Sequence, residues 1–363
     1  MTLPAPYAPL VSGGEGLDRY PADPSVLGGR MAQIYGVAAD QILPIRGLTH
    51  GLELVWRLAA QAGQGVQAPD AEPYARLHAI YARPGKGEPA VVIIRALGSP
   101  EAVAEMAERV APALLVVDEG LIEFAETPSA ATVIGDHANL IVLRSLSLAY
   151  GLAGARVGAA LAQPQTLARL AAVLEPYALP EPLVRLAQQA LDPSRMLETA
   201  ERIATVNRER ARIAREVARL MTVEGGVGPI LMARPEDLDG ALASLARYGV
   251  AADRSGDRLR LPISIKPEVN DRLLAALGLT PPKHRPAASV RPCETPRRRA
   301  LSAPSIWTRP GRSRSTPASA SSTTCWNRSR PTAASRCGCR ARATCTPIRT
   351  TRSKTAPSPS VRP

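Results

Sequence analysis

The first 280 residues contain no cysteine and only two lysines, Lys86 and Lys266. Without cysteine there is no disulfide framework, and a cytoplasmic location is expected. With two lysines, any chemistry that needs an amine has two candidates: Lys86 lies in a Gly-rich loop and Lys266 in the last segment, and both read as ordinary surface residues. No apolar run approaches the roughly 18 residues of a membrane span, and the N-terminus lacks a charged-plus-apolar leader, so no membrane association is expected.

The chain as a whole carries a net charge of +13, which by itself would suggest nucleic acid. The position of the charge argues otherwise. Residues 281–363 hold 18 of the 45 basic residues and one of the 32 acidic ones, leaving 27 and 31 in residues 1–280, a net −4. The body is therefore an ordinary, slightly acidic sequence, and no nucleic-acid partner is expected. All five cysteines lie in the tail. Cys337 and Cys339 form a lone Cys-x-Cys without paired spacing or histidines, so no metal site is expected.

The tail has almost no periodic apolar pattern and is crowded with Arg, Pro, Ser and Thr, which predicts disorder. It is also compatible with coding DNA read in the wrong frame. With suitable synonymous codons, residues 316–327, "TPASASSTTCWN", shifted by one nucleotide become Asp-Thr-Gly-Ile-Gly-Phe-Leu-Asp-His-Met-Leu-Glu. Residues 344–355, "TCTPIRTTRSKT", similarly allow Asp-Leu-His-Pro-Asp-Pro-His-His-Thr-Val-Glu-Asp. These resemble, in order, two signatures of imidazoleglycerol-phosphate dehydratase, a histidine-biosynthesis enzyme. The tail then reads as an out-of-frame neighbouring gene.

In the body, Pro21 and Pro24 break an N-terminal arm ahead of a short helix over about 25–35. "ILPIRGLTHGLELVWRLAAQAG" reads as a strand or turn entering an amphipathic helix. "AVVIIRAL" (90–97), "ALLVVDEG" (113–120) and "NLIVLRSLS" (139–147) are short apolar strands. Between the first two, Ser99-Pro100-Glu101 predicts a capped helix over 101–109. Strand-helix-strand order with near-continuous apolar strands argues for a parallel sheet covered by helices, an α/β fold. A long charged helical region runs from Glu181 to about Met221, followed by a last α/β segment. The expected division is an arm and part of a small domain (1–40), a large domain (41–175), a helical connection and small domain (176–280), and the tail (281–363).

Two motifs carry chemistry. Asp118 ends a buried strand, where open α/β sheets place ligands; a carboxylate there either faces a ligand or caps a turn. "RSLSLAYGLAGARVG" (144–158) sets two serines, a Gly-rich turn and Arg156 in sequence. Hydroxyls, backbone N–H groups and a guanidinium suit an anion, although such a turn is also a common structural element.

Together with "LDRYPADP", "QILPIRGLTHG", "LLVVDEGLIEF" and "ISIKPEVNDRLLAALG", this stretch resembles histidinol-phosphate aminotransferases over roughly residues 16–280. The resemblance implies a fold-type-I pyridoxal-phosphate architecture: a mainly parallel large domain and a smaller α/β domain drawn from both ends of the body. It also implies pyridoxal 5′-phosphate as cofactor, Asp118 at its pyridinium nitrogen, and Ser145, Ser147, Arg156 and the backbone near Gly47 at its phosphate. Tyr20 would reach the phosphate of a partner subunit, so a homodimer is implied. The implied reaction is amino transfer between histidinol phosphate and 2-oxoglutarate.

Leu148 stands where the family pattern has its Schiff-base lysine, and it can neither hold the cofactor covalently nor move a proton. Asp118-Glu119-Gly120-Leu121 replaces Asp-Glu-Ala-Tyr, and "RALGSPE" (95–101) replaces an asparagine-containing segment. The expected stacking aromatic aligns near Ala71, with Tyr74 as a displaced substitute, and the substrate-clamping arginine aligns with Pro262. Arg260, on the same strand face, is the compensating candidate. His50 and His78 read as surface or helix positions rather than catalysts. The expected protein is an aminotransferase-like member of histidine biosynthesis with impaired catalysis. The alternative is a non-catalytic scaffold that binds a phosphate ligand or a partner.

Overall fold

The structure is a computed structural model that describes residues 16–18, 20–81, 89–95 and 98–280. The tail, Lys86 and Ala96-Leu97 of the "RALGSPE" segment lie outside the described residues. In chain order the elements are α1 (Ser25–Tyr35), β1 (Ile42–Ile45), α2 (Leu48–Gln61), β2 (Val66–Gln67), α3 (Tyr74–Tyr81), β3 (Val91–Ile94), α4 (Pro100–Val110), β4 (Leu114–Asp118), β5 (Leu140–Ser145), β6 (Gly158–Leu161) and α5 (Pro164–Ala171). There follow α6 (Glu181–Ala190), α7 (Met196–Val217), β7 (Thr222–Gly225), β8 (Ile230–Arg234), α8 (Leu238–Arg247), β9 (Asp253–Ser255), β10 (Arg258–Pro262) and α9 (Pro267–Ala276).

The larger sheet has the order β1-β6-β5-β4-β3-β2. β2 to β5 are mutually parallel, whereas β6 is antiparallel to both β5 and β1. The carboxyl ends of β1, β3, β4 and β5 therefore lie along one edge, with the start of β6 among them. All five residues of β4 are buried because helices cover both faces. Leu115 and Val117 point into a core shared with α1, α4 and α6, and Leu114 and Val116 into one shared with α2, α3 and α5. That alternation is the two-residue period of a strand. Pro44 is accommodated because β1 is an edge strand.

Helix α4 begins as its cap signal predicts: the Ser99 hydroxyl accepts from the Ala102 N–H at 3.3 Å, and Pro100 takes the first helical position. The helical region from Glu181 differs from expectation. It is two helices, because Asp192-Pro193 ends α6 and the Asp192 carboxylate caps a separate short turn by accepting from the Ser194 N–H. The N-terminal helix also differs from its expected share in a small domain. Leu27, Met31 and Ala32 of α1 are buried against the larger sheet, since its apolar face matches that core.

The second sheet, order β7-β8-β10-β9, is wholly antiparallel. Its core, built from Leu231, Ala233, Leu259 and Leu261, is closed by Ile213 and Val217 of α7 and Leu273 and Leu274 of α9. The lobe is tied to the turn after β4 by Asn207, which donates to the Phe124 carbonyl at 3.1 Å, while Arg210 of the same helix donates within the lobe, to the Gly228 carbonyl at 3.0 Å. Among the described residues, no helix is long and apolar enough to cross a membrane.

Candidate active site

The carboxyl-end edge of the larger sheet brings together most of the residues singled out above. Ile45 leads through Arg46 into Gly47, which caps α2 with φ 77° and ψ 170°, a conformation that only glycine adopts readily. A Cβ at Gly47 would lie 3.0 Å from Arg156 Nη2. Arg156 is itself held at φ 51° by the turn after β5, and its Nη1 donates to the Ala153 carbonyl at 3.2 Å and reaches Ser147 Oγ at 3.5 Å. Ser145 Oγ accepts from the Ser147 N–H at 3.2 Å, which folds the serine turn back on the strand. Gly158 lets the chains approach: a Cβ there would be 2.5 Å from the Arg144 carbonyl and 3.2 Å from Gly47 Cα.

The result is a compact cradle of a helix N-terminus, two hydroxyls and a guanidinium. The first turn of α2 carries no acidic residue. Among the described residues, the hydrogen-bond partners of Arg156 are neutral. Such a set of donors favours an anion with several acceptor oxygens.

Asp118 lies one strand over, 8% exposed, paired in register with Leu143. Both of its oxygens are engaged: Oδ1 accepts from the Gly120 N–H at 2.9 Å, and Oδ2 accepts a short hydrogen bond from the Tyr74 hydroxyl. Tyr74 is fully buried, and the Arg95 guanidinium sits 5.6 Å from its ring centroid. Burial, and then the Asp118 charge, pushes the Tyr74 hydroxyl well above the usual phenol range. Gly120 has a local cause: a Cβ would meet Leu48 Cδ1 at 2.7 Å. The glycine where the resemblance implies alanine thus goes with the leucine that opens α2.

Leu148 is 42% exposed in the turn after β5. Lys266 is exposed as the cap of α9. Arg260 lies on the exposed face of β10, bound to Asp253 through Nε–Oδ1 at 2.7 Å and a second, shorter contact. Tyr20 is exposed and packs on Tyr177, ring centroids 4.8 Å apart. Ala71 packs at the margin of the core that buries Tyr74. His78 is exposed on α3.

Two polar clusters, one around the buried His50 and one around the buried Arg144, border the site and were not legible from spacing. The Arg46 N–H donates to His50 Nδ1 at 3.0 Å, and His50 Nε2 faces Glu175 Oε2, also at 3.0 Å. Glu175 further pairs with Arg46 and Arg57, and Glu53 with Arg57. His50 thereby fixes the backbone immediately before Gly47. Burial lowers its pKa and outweighs the opposing effect of Glu175. Beneath the Asp118 turn, Arg144 pairs with Glu123 at 2.9 Å and Glu119 at 3.6 Å, with its guanidinium 4.3 Å from the Tyr35 ring centroid. Glu119 also accepts from Ser129 Oγ and the Ala130 N–H, and burial raises its pKa against these donors. Among the described residues, no cluster of metal-ligating side chains occurs.

The family model for aminotransferase class I and II matches residues 97–277. A histidinol-phosphate aminotransferase of Stenotrophomonas maltophilia is 36% identical over 307 residues, covering 72% of this chain and 84% of that protein. One from Xylella fastidiosa is 30% identical over 304 residues, covering 71% and 83%. The chain belongs to the histidinol-phosphate aminotransferase family. Among solved structures, histidinol-phosphate aminotransferase from Sinorhizobium meliloti, in complex with pyridoxal-5′-phosphate, shares the fold with a TM-score of 0.62 at 21% identity, covering 73% of this chain and 83% of that one. L-threonine-O-3-phosphate decarboxylase from Porphyromonas gingivalis shares it with a TM-score of 0.61 at 18% identity, covering 71% and 89%.

Proposed function

We propose that this chain is a histidinol-phosphate aminotransferase-like protein of histidine biosynthesis that holds pyridoxal 5′-phosphate without a covalent bond and is impaired in amino transfer between histidinol phosphate and 2-oxoglutarate. The observation that carries the reading is the contrast within one site. The Gly47, Ser145, Ser147 and Arg156 cradle is intact, while Leu148 occupies the position of the anchoring lysine.

The residues present fit the cofactor's phosphate. Gly47 leaves open the space a side chain would fill, and the donors around it are unopposed by any acid in the first helical turn. They do not fit covalent attachment, because a leucine side chain has no nitrogen. When bound, pyridoxal phosphate supplies an electron sink for the bond being broken at the amino carbon. Asp118 would be the group that pairs with the ring nitrogen. The proton that must move between carbon atoms during amino transfer has no carrier at position 148, and loss of a positioned acid–base group costs roughly 10²–10⁴ in rate.

Dimerisation, with Tyr20 reaching a partner subunit's phosphate, belongs to the same proposal. Its support is the exposed Tyr20–Tyr177 pair, and sedimentation velocity tests it. Arg260 could serve a substrate carboxylate or phosphate only by leaving Asp253. The second reading, a non-catalytic scaffold that binds a phosphate ligand, is favoured by the engagement of both Asp118 oxygens within the chain.

The test is the absorbance spectrum of the purified protein with pyridoxal phosphate, before and after borohydride reduction and peptide mapping, alongside an amino-transfer assay with histidinol phosphate. The expected result is a bound but unattached aldehyde and turnover at or near background. A reduced adduct mapped to Lys86 or Lys266, with turnover, would overturn the impaired reading.

A further inference from the structure

Among the described residues, Asp118 is the carboxylate that the strand-end edge described above offers to a cationic ring nitrogen, yet the chain itself has taken it. The Tyr74 hydroxyl donates to Oδ2 and the Gly120 amide to Oδ1, and with the carboxylate 8% exposed there is little of it left to meet a ligand. The phenol ring is packed on both sides. Its body is fully buried among the residues of the core between α2, α3 and the sheet, and the Arg95 guanidinium, at the end of the neighbouring strand, lies against its face. In the phosphate cradle, by contrast, Gly47 and Arg156 face each other, and among the described residues the partners of Arg156 are the neutral Ser147 hydroxyl and Ala153 carbonyl.

From this asymmetry we infer that Tyr74 is a specificity-determining plug: it occupies the ring end of the site, so that a phosphate-bearing ligand with a protonated heteroaromatic ring must displace it from Asp118, whereas a ligand that needs only the phosphate cradle need not. The inference rests on the proposed reading of this edge as a cofactor site and deepens it. The plug thereby weakens the hold on pyridoxal phosphate without abolishing it, and leaves the binding of simple phosphate monoesters or inorganic phosphate untouched. The contact follows from the fold, because α3 starts at Tyr74 and directs its first side chain at the end of β4 across 44 residues of sequence.

The test uses the full chain and the variant Tyr74→Phe, which keeps the buried ring and removes the competing hydroxyl; a melting curve verifies that it folds. Dissociation constants are measured for pyridoxal phosphate, for pyridoxal, which lacks the phosphate, and for inorganic phosphate. A charge-assisted hydrogen bond to a freed carboxylate corresponds to about a tenfold gain or more. The expected result is that Tyr74→Phe binds pyridoxal phosphate and pyridoxal about tenfold more tightly than the unmodified chain, with inorganic phosphate unchanged within about twofold. Asp118→Asn should cost the unmodified chain less than about twofold but cost Tyr74→Phe about tenfold, since only the latter has the carboxylate free. Equal pyridoxal affinities with and without the Tyr74 hydroxyl, or a gain that Asp118→Asn does not remove, would overturn the inference. Failure to bind inorganic phosphate would count against the cradle instead, because pyridoxal reports the ring end independently of it.

Discussion

Replacing Gly47 by alanine tests the anion cradle at its tightest point. At φ 77° and ψ 170° the backbone is in a region that a residue with a Cβ enters at a cost of order 1–3 kcal/mol. The new methyl would also stand 3.0 Å from Arg156 Nη2 and 3.3 Å from its Cζ, so the guanidinium has to move by a few tenths of an ångström or more. Displacing it forfeits a charge-assisted hydrogen bond to a bound phosphate, worth about 1.5–3 kcal/mol. The expected outcome is a fall in melting temperature of several degrees, at about 2–4 °C per kcal/mol, and an affinity for inorganic phosphate weakened about tenfold or more. Gly36→Ala is the control. Gly36 is also left-handed, at φ 68° and ψ 32°, but a Cβ there meets nothing within 4 Å. It should lose stability and keep its phosphate affinity when both are measured by calorimetry below the melting transition. Equal affinities for Gly47→Ala and Gly36→Ala would refute the placement of the anion at this cradle.

Leu148→Lys should restore an amine at a half-exposed position, and borohydride reduction with pyridoxal phosphate should then yield a peptide labelled at residue 148; an unlabelled peptide would mean that the turn holds position 148 away from the aldehyde. His50 gives a pH dependence. Its folded pKa lies below the ordinary 6.5, so the unfolded chain binds its proton first on acidification, and the stability His50 contributes is complete above about pH 6.5 and is lost as pH falls through the lower folded value. His50→Leu should flatten that part of the urea-midpoint profile, whereas the pairs of Glu175 and Glu53, whose pKa values are lowered, would continue to weaken at more acidic pH; an unchanged slope below pH 6.5 would exclude His50 as its source. Arg144→Met should leave Glu119 and Glu123 buried without their cation and cost about 3–5 kcal/mol, read from denaturant midpoints. A loss below about 1 kcal/mol would refute the dependence of the two buried acids on Arg144.

How much of this protein can be read from one dimension depends on the range of the interaction involved. Signals spanning a few residues were legible. The apolar run ending in Asp118 marks a strand buried on both faces, Ser99-Pro100 marks a helix start, and the serines, glycines and arginine of 144–158 mark a turn rich in donors. Composition likewise separated a slightly acidic body from a basic tail, because charge is a sum that needs no coordinates. The family resemblance rests on the same local stretches, and from it came both the expected role of Asp118 and the significance of Leu148.

Tertiary structure decided what those residues touch. Tyr74 and Asp118 are 44 residues apart, and His50 and Glu175 are 125 apart. Whether such pairs meet is set by which helix covers which face and where it enters the sheet edge, and no spacing rule encodes that. A buried hydrogen bond also excludes its rivals, since an acceptor withdrawn from water is available only to groups that reach it inside the fold. The sequence by itself determined that an acid stands at the end of a strand ahead of a turn rich in donors and that no amine stands at position 148. Only the folded chain decided that the acid is already bonded to its own tyrosine while Arg156 lies against Gly47 with neutral partners, because those two facts depend on distances between elements that the sequence keeps far apart.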